Sequence, residues 1–226
     1  MKVSWHGQSC VQVLTDTGYT ILIDPFITGN SKSDLNPETV AADVIIITHA
    51  HADHIGDTEA IAHRTDALIV ANVEIAEFFE SKKLKTHGMQ MGGKHAFDFG
   101  EIKMTLAIHG SSYEIDGKPT TLGLAAGIIF HADGKTLYHA GDTALFSDMQ
   151  LIGAYRPLDI AFLPIGDNYT MGIEDATLAA SYLKAKTVVP IHYNTFPLIE
   201  QDPEAFCQKL AGNQGRVLAV GEILEV

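Results

Sequence analysis

The chain has little of what several protein classes require. Only two cysteines occur in 226 residues, Cys10 and Cys207, far apart and in no Cys-X-X-Cys spacing. That argues against a disulfide framework or a cysteine-ligated metal, and free buried thiols suit a reducing compartment. Positive charge is scarce: 15 Lys and Arg stand against 28 Asp and Glu, a formal net charge of −13, and no basic run of five or more appears. Binding along a phosphate backbone needs clustered Lys and Arg, so nucleic acid is not an expected partner. No apolar run approaches the length of a membrane span, and Met1-Lys2-Val3-Ser4-Trp5-His6 lacks the apolar segment of a secretory signal, so the expected location is the cytoplasm without a membrane partner. No Pro/Gly/Ser linker divides the chain, and 46% hydrophobic with 19% charged content suits one globular domain over residues 1–226, compatible with a homo-oligomer.

What is present in excess is metal-ligand chemistry in one short stretch. His49-Ala50-His51-Ala52-Asp53-His54 places three imidazoles and a carboxylate in six residues, directly after the apolar run Val44-Ile45-Ile46-Ile47. A β-branched run of that length reads as a buried central strand, and the ligands then emerge at its carboxyl end, where open α/β sheets hold their sites. His49 and His51 are two apart, so in extended backbone they point to one side and can grip one ion. A turn after Ala52 would swing Asp53 and His54 toward a second ion, with Gly56 supplying the freedom to leave the turn. Any one of these histidines alone would read as a solvated loop residue; four ligand types in six positions do not.

Six residues cannot complete two coordination spheres, and the same grammar recurs elsewhere. Met104-Thr105-Leu106-Ala107-Ile108 ends in His109, Thr136-Leu137-Tyr138 leads to His139-Ala140-Gly141-Asp142-Thr143, and Val188-Val189-Pro190-Ile191 ends in His192. Each is a strand-like run followed by a ligand, as expected when several strands serve one rim of a sheet.

Between these points the pattern is mixed. A hairpin is expected over Cys10–Leu14 and Tyr19–Ile23 with a turn at Asp16-Thr17-Gly18, a short helix from Asn36-Pro37-Glu38, and helices Thr58–His63 and Val73–Lys82 flanking a strand Ala67–Val70. Phe97–Ile108 and Leu122–Tyr138 read as strands broken by turns at Asp98-Phe99-Gly100, Asp116-Gly117 and Asp133-Gly134. The last third alternates: a helix near Ala144–Ala154, a strand Asp159–Leu163, a helix Ile173–Lys184, a strand Thr187–Val189 and a helix Pro203–Leu210. Periodicity alone supports a mixed α/β sheet protein.

The order His-X-His-X-Asp-His, a later His, a Gly-Asp-Thr and a final His resembles the metallo-β-lactamase superfamily of binuclear hydrolases. Ile23-Asp24-Pro25-Phe26, His109-Gly110-Ser111-Ser112-Tyr113, Gly166-Asp167-Asn168-Tyr169-Thr170-Met171-Gly172 and Pro190-Ile191-His192-Tyr193-Asn194 extend the likeness to a bacterial and archaeal group of metal-dependent hydrolases related to ascorbate-phosphate lactonases. The resemblance implies a four-layer αββα sandwich with a binuclear site at one edge. It implies that His49, His51 and His109 bind a first divalent ion, that Asp53, His54 and His192 bind a second, and that Asp142 bridges them. Imidazoles suit zinc, while the carboxylates also admit manganese or iron.

The implied reaction is attack by a hydroxide held between two ions on a small ester, lactone or phosphoester metabolite. A nuclease of the same superfamily and a non-catalytic metal-binding module are the alternatives. Asp53, a catalytic candidate, would help to hold the hydroxide in line, and the candidates for protonating the leaving group are His6, in Trp5-His6-Gly7-Gln8, His139, three residues before Asp142, and a metal-bound water. Family members commonly carry a His where Gln8 stands, so proton transfer at that position is not expected. Ser111, Tyr113, Asn168 and Asn194 follow ligands or strand ends and are candidate substrate contacts. His63, His87, His95 and His131 read as surface residues in helix or turn contexts.

Overall fold

The computed structural model describes residues 1–226, the side chain of Asn213 excepted. The first half runs β1 (Lys2–Trp5), β2 (Val11–Leu14), β3 (Thr20–Ile23), β4 (Val44–Ile46), α1 (Ala52–Ile55), α2 (Thr58–Thr65), β5 (Leu68–Asn72), α3 (Val73–Ser81) and β6 (Thr86–Met89). The second runs β7 (Lys94–Phe97), β8 (Gly100–Leu106), β9 (Ser112–Ile115), β10 (Lys118–Thr121), β11 (Ala126–Ala132), β12 (Lys135–His139), α4 (Met149–Tyr155), β13 (Ile160–Pro164), α5 (Ile173–Leu183), β14 (Thr187–Ile191), α6 (Pro203–Lys209) and β15 (Ile223–Glu225). A seven-stranded sheet has the order β15-β1-β2-β3-β4-β5-β6, a six-stranded sheet the order β14-β13-β12-β11-β8-β7, and β9 and β10 form a separate hairpin.

The layers follow from period-two burial. Along β3, β4 and β5 the residues Ile21, Ile23, Val44, Ile46 and Val70 join a core shared with Ile102, Met104, Ile128 and Phe130 of the other sheet. Their neighbours Leu22, Ile45, Ile47, Ile69 and Ala71 face the opposite way, onto Ile61 and Ala62 of α2 and Ile75 and Phe79 of α3. Strands buried on both faces carry continuous apolar runs, which is why Val44 to Ile47 shows no polar alternation. Against the outside of the second sheet lie Met149 and Ile152 of α4, Ala176, Ala179, Ala180 and Leu183 of α5, and Phe206 of α6. The result is the αββα sandwich. Pro190, which cannot donate to a ladder, sits in β14 at a sheet edge.

Strand direction decides where ligands emerge. β3, β4 and β5 pair in parallel, and β1 is antiparallel to β2, which is antiparallel to β3, so β1 runs the same way. In the second sheet β12, β13 and β14 are parallel, and β8, antiparallel to β11 as β12 is, runs with them. Hence the segments after β1, β3 and β4 leave one rim of their sheet, and those after β8, β12 and β14 leave one rim of the other.

Several expectations are corrected. Asn36-Pro37-Glu38 forms no helix: a single turn closes from Val40 N to Asn36 O at 2.9 Å, and Asn36 Oδ1 takes the Glu38 amide at 2.9 Å. The helix expected near Ala144 starts at Met149, because the Ala144 amide is drawn to Ile108 O at 3.1 Å. β1, β6, β9, β10 and β15 form outside the expected strands, as does nearly all of β7. His87, His95 and His131 lie on strands, with His87 and His95 ring centroids 4.4 Å apart between β6 and β7. Cys10 is buried and Cys207 half-buried, both free. No helix among the described residues is long and apolar enough to cross a membrane.

Gly56 ends α1 with φ +44°, and a Cβ there would stand 2.3 Å from Pro25 O and 2.5 Å from Phe26 Cα. Backbone atoms cannot yield as a side-chain tip can. Gly56→Ala is therefore expected to destabilise the fold by about 2–3 kcal/mol, read as a lowered urea midpoint; an unchanged midpoint would show that α1 and the Asp24–Phe26 segment are not packed as described.

Candidate metal centre

Ile47 and Thr48 prolong the line of β4, and His49 and His51 follow it in extended backbone, His51 having φ −68° and ψ 150°. One helical turn, Ala52–Ile55, then brings Asp53 and His54 round. His109 stands beyond β8, Asp142 three residues beyond β12, and His192 immediately after β14. The two rims are tied where these residues meet: Ala126 N donates to Thr48 O at 3.0 Å and Ala50 N to Ser111 Oγ at 3.1 Å.

The donor atoms converge. His49 Nε2 lies 3.0 Å from His51 Nδ1, and His109 Nε2 lies 3.2 Å from the same nitrogen. Bond lengths of about 2.0–2.1 Å to a tetrahedral ion put neighbouring nitrogens roughly 3.3 Å apart. Asp142 Oδ2 is 3.0 Å from His192 Nε2, 3.3 Å from His54 Nε2, 3.5 Å from His109 Nε2 and 4.0 Å from His49 Nε2. Asp53 Oδ2 is 3.6 Å from His192 Nε2 and 3.8 Å from His54 Nε2. His49/His51/His109, His49/His54/Asp142 and Asp53/His54/His192 each place three donor atoms within 4.8 Å of one another.

A hydrogen-bond network outside this cluster aims it. Asp24 is fully buried and accepts from Thr48 N at 2.8 Å, Thr48 Oγ1 at 2.6 Å and His54 Nδ1 at 2.7 Å. Since Thr48 gives its proton to Asp24, its oxygen accepts from His49 Nδ1 at 3.0 Å. Both rings thus hold their Nδ1 proton outward, and the neutral form of each turns a bare Nε2 inward. His54 Nε2 and Asp142 Oδ1 are buried without a hydrogen-bond partner. Buried polar atoms are rarely left so unless another ligand satisfies them. The residues present fit divalent cations.

Charge completes the case. Burial first, then the neighbouring imidazoles, press His49 and His51 below the usual histidine range, and burial does the same to His109 against the pull of Asp142. For His54 burial is outweighed by Asp142, Asp24 and Asp53, which raise it well above that range, and for His192 by Asp142 and Asp53, which raise it to about 9. Asp142 and Asp53 are held low, against burial, by His192 and His54. One side of the centre therefore offers neutral imidazoles, while protons on the other side stand in for positive charge.

Other expected site residues fall elsewhere. His6 gives Nε2 to a contact with Ser4 Oγ at 2.8 Å and Nδ1 to Asp34 Oδ1 at 2.6 Å, and it does not reach the cluster. His139 donates from Nε2 to Ser9 O at 3.0 Å and accepts Gly141 N at Nδ1 at 3.1 Å. Neither ring lines the cleft over the cluster, and His139 braces the turn that presents Asp142. Ser111 Oγ is occupied by Ala50 N and Leu122 O, at 3.1 and 3.0 Å. Tyr113 packs edge-on to Phe78, ring centroids 5.7 Å apart. Asn168 is exposed outside the cleft, and Asn194 lines a separate recess with Lys32 and Gln201.

Two contributors went unassigned by sequence reading. Asp24 was noticed only within Ile23-Asp24-Pro25-Phe26, although a carboxylate closing an apolar strand is itself a signal. Gln8, fully buried, donates from Nε2 to Asp53 Oδ2 at 2.8 Å, while its backbone oxygen takes His192 N at 2.8 Å. Over the cluster opens a cleft of about 570 Å³ lined by His51, Asp53, His109, Asp142 and His192 below and by Tyr169, Phe196, Pro197 and Leu198 above.

Histidine and aspartate donors gathered at the joined rims of two facing sheets define a metal-dependent enzyme of the αββα class. The chain belongs to the metallo-β-lactamase superfamily and is a metal-dependent hydrolase: a beta-lactamase superfamily domain matches residues 13–193. It is similar to a UPF0173 metal-dependent hydrolase of Bacillus velezensis, 57% identical over 228 residues and 100% of both chains. It is similar to Igni18, a metallo hydrolase of the archaeon Ignicoccus hospitalis, at 40% identity and a TM-score of 0.90 over 100% of this chain and 98% of that one. An isothiocyanate hydrolase from Delia radicum gut bacteria, 20% identical with a TM-score of 0.77 over 100% of this chain and 99% of that one, shares the fold.

Two outcomes are expected. Asp24→Ala should weaken metal binding about 10- to 100-fold by releasing His54 and Thr48; equal affinity in a chelator competition would remove Asp24 from the centre. The metal-free chain should lose stability as pH rises from about 6.5 to about 9, because raised His54 and His192 make the folded state hold protons that the unfolded chain has released. The amino terminus, raised first by Asp16, adds in the same sense. Below about 6.5 the depressed His49, His51 and His109 reverse the sign. A thermal midpoint that climbs steadily from pH 6.5 to 9 after chelation would contradict this charge distribution.

Proposed function

We propose that residues 1–226 form one binuclear hydrolase domain, acting in the cytoplasm on a small ester, lactone or phosphoester rather than on nucleic acid. In this reading His49, His51 and His109 hold one ion, Asp53, His54 and His192 the other, and Asp142 lies between them. The observation that carries it is the position of Asp142, whose Oδ2 is within 3.5 Å of His109 on one side and of His54 and His192 on the other. Zinc suits the five imidazoles best, with manganese or iron admitted by the carboxylates. The ions, when bound, supply Lewis acidity toward the scissile group and lower the pKa of water.

The chain's own residues set the rest. Asp53, with its side chain 27% exposed and Oδ2 held by Gln8 Nε2, presents a carboxylate to the cleft. In this reading it would hold the attacking water in line with the scissile group, a position closed to His6 and His139, which do not line the cleft. Asp24 and Thr48 hold the imidazoles in one tautomer, so no ring needs to reorient during the reaction.

The test is elemental analysis of chelator-free protein beside an Asp142→Ala variant. Two ions per chain are expected in the parent; the variant should hold no more than one and lose at least about 100-fold in kcat/KM. One ion or fewer in the parent with metal in excess, or near-parent turnover in the variant, would overturn the binuclear assignment.

A further inference from the structure

The upper wall of the cleft is built from Tyr169, Phe196, Pro197 and Leu198, and neither Lys nor Arg lines the cleft. Leu198 is 63% exposed and Tyr169 51% exposed, so apolar surface faces water directly above the metal-ligand cluster. Two tight turns hold it there. Tyr169 stands at the tip of a loop closed by Asp167 N to Met171 O at 3.0 Å and Thr170 N to Asp167 O at 3.2 Å. Phe196 to Leu198 ride on a segment stapled by Asn194, whose backbone N–H donates to Ile199 O at 2.9 Å and whose side-chain Oδ1 accepts from Gln201 N at 2.8 Å. Phe26 backs the Phe196 ring at a centroid distance of 6.3 Å.

Rigid, exposed apolar side chains beside a polar centre are costly unless an apolar group covers them, and a concave site of this size and lining suits a small ligand. A phosphate or carboxylate not itself under attack would meet this wall without a countercharge, in a protein of net charge −13. We infer that the substrate is an uncharged carboxylic ester or lactone whose apolar acyl chain lies against Tyr169, Phe196 and Leu198, with Asn194 as a positioning residue for that wall. Hydrolysis adds water across the acyl C–O bond: the water oxygen joins the acyl carbon, the bond to the alcohol oxygen breaks, and that oxygen takes a proton. The products are a carboxylic acid and an alcohol, or a hydroxy acid from a lactone.

This inference rests on the hydrolase reading, and two measurements separate them. The zinc-loaded chain is titrated calorimetrically with acetohydroxamate and octanohydroxamate, which share one metal-chelating head group, differ only in acyl chain length and bind without turnover. It is also assayed on p-nitrophenyl acetate, butyrate and octanoate against p-nitrophenyl phosphate. Octanohydroxamate should bind at least about tenfold more tightly, and kcat/KM should rise severalfold from acetate to butyrate, since each buried methylene contributes about fourfold. Leu198→Ala and Phe196→Ala should shrink both preferences to under about threefold while metal content stays at the parent value.

Equal affinity for the two hydroxamates, or preferred turnover of the phosphate, would overturn the apolar assignment and leave the hydrolase standing. A strong chain-length preference in binding with no ester turned over would support the wall and overturn ester hydrolysis. For Asn194, Asn194→Ala should raise KM for the octanoate ester more than for the acetate; a uniform loss would make it merely structural.

Discussion

A carboxylate without access to water, Asp24, is the contact from which the centre is organised. Burying an anion costs several kcal/mol unless its oxygens are bonded, and here the donors are Thr48 N, Thr48 Oγ1 and His54 Nδ1. These same donors fix the entry to the His-X-His-X-Asp-His loop. Because Thr48 spends its proton on Asp24, His49 must donate to Thr48, and the orientation of two imidazoles is inherited from one buried charge. β3 and β4 lie side by side in parallel, which places Asp24 against Thr48 without any long-range adjustment.

The centre opposes the stability of its own fold. Five imidazoles and two carboxylates are packed where like groups face one another, and three buried polar atoms, His54 Nε2, Asp142 Oδ1 and His192 Nδ1, have no hydrogen-bond partner in the protein. The backbone shows the same tension. Gln8, Asp24, His192 and Asn194 all have positive φ, at 51°, 48°, 54° and 58°, and all lie at the rim where strands end. Non-glycine residues in that region cost of order 1–3 kcal/mol each and persist where the surroundings over-determine them. At this rim the surroundings are two continuously apolar sheets, stiff enough to hold such turns.

Much of the architecture was legible in particular residues. The continuous run Val44 to Ile47 required a strand covered on both faces, and Asp116-Gly117 and Asp133-Gly134 required tight hairpins, as found with positive φ at each of the four positions. Less legible were β1, β6 and β15, whose short, partly polar segments become strands only because a neighbouring edge accepts them. The helix expected from Ala144 failed for a related reason: a long-range bond to Ile108 O overrides local propensity.

The amino-acid sequence by itself determined the donor inventory. His49, His51, Asp53, His54, His109, Asp142 and His192 each follow an apolar run, and that pattern is a local property of the chain. What only the tertiary structure decided is which neighbouring polar residues serve the donors. His6, His139, Ser111 and Tyr113 carry the same chemistry as true cleft groups, yet they are engaged by Asp34, Ser9, Leu122 and Phe78. Asp24, Gln8, Phe196 and Leu198 acquire roles through partners distant in the chain, Gln8 reaching both Asp53 and His192, or through a wall that no single segment forms. A side chain's chemistry is written at its own position, but whether its hydrogen-bonding capacity is free or already spent is settled by residues that approach it only when the sheets close.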